Sequence, residues 1–288
     1  MYEALVAIGQ VGAKDYTPHL VSLLDGFNAR ATTNAELKAQ IQRVVPGIIN
    51  SLEVLREPNG VKPILIASAG WFDTDVKAIA TAALLDLMEA LGEVIGDIVN
   101  TIMRDPFNSS NIKYTAWKEL LESRAPDSAK SKVAAAALEA SYSSIGLTAE
   151  AQNLLRFMRF SAIDTIRLMG VEDDSVYPYL ERTYREAFET SNRDFESIIK
   201  VIEALSAVKT DEAVDLLTLF LRGINTRRHS GPWGNSERDI MRVLIQAITN
   251  TGTQSTPAIQ LLRVIQNSSN YTGAEQGWAR TALTQLGM

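Results

Sequence analysis

Between Ile198 and Ile224 the apolar positions fall into two stripes separated by a polar break. Ile198, Val201, Ile202, Leu205 and Val208 recur at helical spacing and leave Lys200 and Glu203 on the opposite side. Thr210, Asp211 and Glu212 follow, and a Thr or Asp side chain there can accept the first free N–H groups of a new helix. Val214, Leu217, Leu221 and Ile224 mark the second stripe, widened by Leu216 and Phe220. Two amphipathic helices joined by so few residues pack antiparallel. The second stripe is wider than one partner helix covers, so the hairpin needs neighbours on both sides.

Blurred copies of the unit occur along the chain. Ala7-Ile8-Gly9-Gln10-Val11-Gly12 precedes Thr17-Pro18-His19-Leu20; Thr165 to Gly170 precedes Tyr177-Pro178-Tyr179-Leu180; Ala247 to Gly252 precedes Thr256-Pro257-Ala258-Ile259. Each copy predicts a helix end, a Gly or polar loop, then a Pro early in the next helix. Gly accepts the positive φ of a helix stop, and Pro suits a first turn, where its missing N–H is not needed. First helices are expected to end near Gly12, Arg56, Leu91, Ser123, Gly170, Val208, Thr251 and Leu286. The spacing centres on the ~40 residues of a two-helix repeat and predicts about seven hairpins plus a closing helix. Further signals are capping boxes at Thr33/Glu36 and Thr272/Glu275, Pro46 inside an apolar helix, a tight reversal at Gly92/Gly96, and an alanine-rich helix from Lys132 to Ala140.

The repeated helix end, Gly and Pro-started second helix resembles the HEAT-repeat family, especially its bacterial HEAT-like members. The resemblance implies an all-α, right-handed α-α superhelix of armadillo type, with second helices lining a concave side. Family function is usually protein binding, although some members bind nucleic acid or act as lyases or glycosylases. Length alone would suggest two compact domains, but a repeat array extends one core without limit, so a single array over residues 1–288 is expected.

No window approaches the run of about 20 apolar residues that a membrane span needs. The chain opens inside a helical pattern, Tyr2-Glu3-Ala4-Leu5-Val6, so an earlier natural start is expected. The compartment is either the bacterial cell envelope, if an export signal has been trimmed, or the cytoplasm, and a monomer is expected. The chain has no cysteine, which excludes disulfides, thiolate metal sites and cysteine nucleophiles. Its net charge of −6 argues against a nucleic-acid surface over the whole protein.

Catalytic motifs are missing: there is no HExxH, no phosphate loop and no GxSxG elbow. No catalytic residue, metal site or cofactor is therefore expected. The carboxylate pairs Asp73/Asp75 and Asp173/Asp174 precede helix starts, where carboxylates cap free N–H groups. His19 is expected to be an exposed surface histidine.

The C-terminal region stands apart. From Leu219 onward Arg222, Arg227, Arg228, Arg238, Arg242, Arg263 and Arg280 oppose Glu237, Asp239 and Glu275, a balance of 7 − 3 = +4, with no lysine. Arginine's planar fork matches carboxylates and phosphates. Asn225 to Asn235 is expected to be a long loop carrying Trp233 beside Gly231-Pro232 and Gly234. Second helices present a polar stripe at comparable positions, including His19, Tyr179, Arg182, Arg185, Arg222 and Arg263. These observations predict a non-enzymatic interaction scaffold that holds an acidic or helical protein segment against Tyr179, Arg182, Arg185, Arg222, Arg227, Arg228, Trp233, Arg242 and Arg263. The alternatives are nucleic-acid binding through the Arg-rich end, as in HEAT-like glycosylases, or a lyase role, for which no acid–base pair is present.

Overall fold

The computed structural model describes residues 2–142, 148–171, 173–189, 194–230 and 233–288. Fifteen α-helices and three single 3-10 turns make up the fold, and there is no strand among the described residues. Fifteen is seven pairs and one closing helix, as the spacing predicts. No helix among the described residues is long and apolar enough to cross a membrane.

The helices gather into two compact units, Met1–Met158 and Arg159–Met288. The first holds α1 (Tyr2–Gln10), α2 (Thr17–Asn28), α3 (Ala35–Leu55), α4 (Val61–Ala69), α5 (Thr74–Leu91), α6 (Val94–Arg104), α7 (Ser110–Glu122) and α8 (Asp127–Ala140). The boundary falls inside α9 (Ala149–Met169). The second unit continues with α10 (Tyr177–Glu189), α11 (Phe195–Val208), α12 (Asp211–Ser230), α13 (Asn235–Thr251), α14 (Thr256–Asn267) and α15 (Gly273–Gln285).

Within each unit the hairpins stack in two layers. In the first, α1 packs on α3, α3 on α5 and α5 on α7, while α2 packs on α4 and α6 on α8. In the second, α11 packs on α13 and α13 on α15, while α10 packs on α12 and α12 on α14. Between the second unit's layers lie the two predicted stripes: Ile198, Val201, Ile202 and Leu205 from α11, and Val214, Leu217, Leu221 and Ile224 from α12, all buried. The extra width of the α12 stripe seats Phe220, whose ring stacks on Tyr184 of α10 with centroids 3.7 Å apart.

Helix ends follow local chemistry. Gly12, Gly92, Gly170 and Gly252 take positive φ just after α1, α5, α9 and α13. After α3 and α11, Arg56 and Lys209 take the left-handed conformation that Gly252 takes after α13, with φ of 54° and 58°, where a side chain costs roughly 1 kcal/mol. Gly96 serves close approach instead. A Cβ there would stand 3.1 Å from the Cα of Ala129, so the Gly and the alanine-rich α8 let α6 and α8 touch backbone to backbone.

One expected cap is displaced by a residue. Asn34 caps α3, its Oδ1 accepting the Glu36 and Leu37 N–H groups at 3.0 and 3.1 Å, in place of a Thr33/Glu36 box. Asn serves at least as well as Thr in that position, so the neighbouring asparagine wins. The Thr272/Glu275 box forms as expected.

Candidate functional site

α12 runs to Ser230, so residues 225–230 of the expected loop are helix. Two features explain the difference. Thr226 and Ser230 hydroxyls donate to the carbonyls of Arg222 and Thr226, satisfying themselves within the helix. Arg227, Arg228 and His229 occupy the last turn, where cations meet the negative helix end. Gly231 and Pro232 lie outside the described residues.

This extension carries Arg228 into the fold. Its Nη1 donates to Glu275 Oε1 at 2.6 Å and its Nη2 to the Asn270 carbonyl at 2.7 Å. The guanidinium lies over the rings of Trp233 and Tyr271, 5.0 and 4.9 Å from their centroids. Only 11 % of the Arg228 side chain is exposed and none of Glu275. Glu275 Oε2 also accepts the Thr272 N–H at 2.8 Å, closing the capping box of α15, and Arg238 Nε approaches Oε1 at 3.6 Å. Tyr271 donates its hydroxyl to Asn225 Oδ1, and burial pushes its phenol above the usual range. Arg228 of α12 and Arg238 of α13 thus converge on the buried Glu275 of α15, a polar knot that the Trp233 and Tyr271 rings cover.

The remaining candidate residues divide by what they touch. Arg182 bonds Glu186 at 2.8 Å and Arg185 bonds Glu181 at 2.6 Å, both one turn away on α10. Arg227 covers the Phe188 ring at 4.3 Å, beside the buried Tyr184, whose phenol burial pushes far upward. Arg242 pairs with Asp239 at 3.4 Å. Tyr179 is half-buried on α10. Arg222 and Arg263 differ from all of these: both are exposed, and neither makes an ion pair among the described residues. Each has an exposed apolar neighbour on its own helix, Leu219 at 45 % on α12 and Val264 at 54 % on α14. α12 packs on α14, so the two helices that carry these exposed side chains are neighbours in one layer.

Two recesses of this unit lie on the other layer. One of about 540 Å³ opens between α9, α11 and α13, walled by Arg167, Glu203, Lys209, Gln246 and Asn250 among others. A smaller one of about 240 Å³ lies between α13 and α15 beside Trp278, and the two share Gln246. Sequence reasoning passed over these residues. The available signal was Lys209, a side chain standing where α1, α9 and α13 are followed by a Gly of positive φ.

The carboxylate pairs act as caps: Asp73 accepts from the Val76 N–H and Asp173 from the Ser175 N–H, each at 3.0 Å. Among the described residues no group of three or more Asp, Glu or His side chains converges. His19 is exposed on α2.

No family model matches the chain, and no curated protein resembles it in sequence.

Proposed function

We propose that this chain is a HEAT-like interaction scaffold without catalytic chemistry, and that it binds an acidic amphipathic segment of another protein across α12 and α14. One observation carries the proposal: Arg222 and Arg263, unpaired among the described residues, flank exposed Leu219 and Val264 on stacked helices. α14 contains no acidic residue at all, so Arg263 is its sole charge. A surface that alternates free guanidinium and aliphatic groups suits a partner presenting carboxylates beside Leu or Val side chains. An amphipathic helix does this at i, i+3, i+4 and i+7.

Nucleic-acid binding is less well supported. It needs several free cations along a phosphate track. Arg228 and Arg238 are turned toward Glu275, and Arg242 is turned toward Asp239. The test is a fluorescence anisotropy titration with a labelled Glu/Leu amphipathic helical peptide and, in parallel, a short DNA duplex. Arg222→Ala with Arg263→Ala should weaken peptide binding about two- to thirtyfold, each exposed carboxylate contact contributing about 0.2–1 kcal/mol. Peptide affinity unmoved by the double variant, or tight salt-dependent duplex binding, would overturn the proposal.

A further inference from the structure

We propose that the recess between α11 and α13 binds an extended acidic peptide segment, with Lys209 as its anion contact and Gln246 and Asn250 as its main-chain contacts. It lies on the layer opposite Arg222 and Arg263 and does not depend on them.

The first support is backbone conformation. Lys209 holds φ at 58°, in the left-handed conformation that Gly252 takes after α13. Glycine would sit there without strain, so the lysine side chain is kept against a conformational preference. Such a residue points to a use for its side chain. Lys209 lines the recess and makes no ion pair among the described residues. Arg56, the other non-glycine residue of positive φ among those described, likewise lines a recess, between α3 and α5 of the first unit.

The second support is charge. The wall of the recess carries Arg167 and Lys209 against Glu203, a balance of 2 − 1 = +1, in a chain of net −6. Arg167 is already held by Asp164 at 3.2 Å and Glu203 at 3.5 Å, so Lys209 is the cation free to meet a carboxylate.

The third support is hydrogen-bonding chemistry. Gln246 and Asn250 stand one turn apart on α13, and neither side chain is hydrogen-bonded among the described residues. A carboxamide offers both a donor and an acceptor, the complement of a peptide group. Trp278, in the adjoining recess, offers an apolar wall for one side chain.

The test uses two fluorescein-labelled ten-residue peptides, alternating Glu with Thr and Lys with Thr, titrated by anisotropy against the full chain. The acidic peptide should bind at least tenfold more tightly than the basic one. Lys209→Gly and Lys209→Asn should each weaken it about two- to fivefold, the worth of one exposed ion pair. Both residues accept the left-handed conformation, so the melting temperature should hold or rise. Gln246→Ala with Asn250→Ala should weaken binding about tenfold. Arg222→Ala with Arg263→Ala should leave it unchanged. Binding of neither peptide, equal binding of both, or unchanged affinity in the Lys209 variants would overturn the proposal. So would a fall in melting temperature for Lys209→Gly, which would give the lysine a structural role.

Discussion

Removing Glu275 should unfold the C-terminal end of the protein disproportionately for a single residue in a terminal helix. The carboxylate is fully buried and takes a charge-assisted bond from Arg228 at 2.6 Å and a backbone N–H from Thr272 at 2.8 Å. The first bond contributes about 1.5–3 kcal/mol. The capping interaction contributes about 1 kcal/mol more. Glu275→Ala should therefore cost roughly 2.5–4 kcal/mol, overlapping the range for breaking a buried pair and leaving its cation uncompensated. Glu275→Gln keeps the shape and an acceptor and should cost about half as much. Arg228→Ala should approach the Glu275→Ala value, because it leaves the carboxylate buried and loses the packing between Trp233 and Tyr271. The double variant should fall short of the sum by about 1–3 kcal/mol, since the two residues share one interaction. Urea unfolding followed by circular dichroism measures all four. A cost below about 1 kcal/mol for Glu275→Ala, or strict additivity in the double variant, would refute the structural role of the knot.

Three further outcomes follow from local geometry. Asn34→Ala should destabilise by about 1 kcal/mol through loss of the α3 cap, whereas Thr33→Ala should change little; chemical denaturation distinguishes them. Gly9→Ala should lose about 1–3 kcal/mol, because a Cβ would meet the Ser51 Cα at 2.9 Å, while Gly223→Ala, with open space around it, should gain roughly 0.5–1 kcal/mol. Burial, and then the hydrogen-bonded Asp86 carboxyl, raise Glu53 above its ordinary 4.5. A carboxyl with a raised folded pKa supports the fold below its unfolded value and loses that support as pH rises through the folded one. Glu53→Gln should therefore raise the melting temperature at pH 7, with the gain fading as pH falls toward 4.5.

The helix ends were legible in the sequence because their signals are local. The first-helix ends expected at Arg56, Leu91, Ser123, Gly170, Val208 and Thr251 each fall within a residue of the observed stop. Caps, Gly stops and the stripe period are each set within a turn or two of the chain. The fate of Arg228 was not legible, because its partner Glu275 is 47 residues away and nothing near Arg228 announces it. The extra turn of α12 was hidden for a different reason. Asn225, Thr226 and Ser230 have loop-like composition, yet their side chains are satisfied inside the helix or by Tyr271. The Arg-rich end was visible as composition. Which arginines stay free depends on tertiary pairing, and that left Arg222, Arg263 and Arg280 exposed and without an ion pair among the described residues.

The most direct test of an α12–α14 docking surface is site-specific photocrosslinking. A photoreactive residue at Leu219 should crosslink the acidic amphipathic helical peptide, and Arg222→Ala with Arg263→Ala should suppress the product. The same probe at Val54, exposed on α3 of the first unit, should give little. Equal yields at both positions, or a Leu219 product indifferent to the two arginines, would contradict the proposed surface.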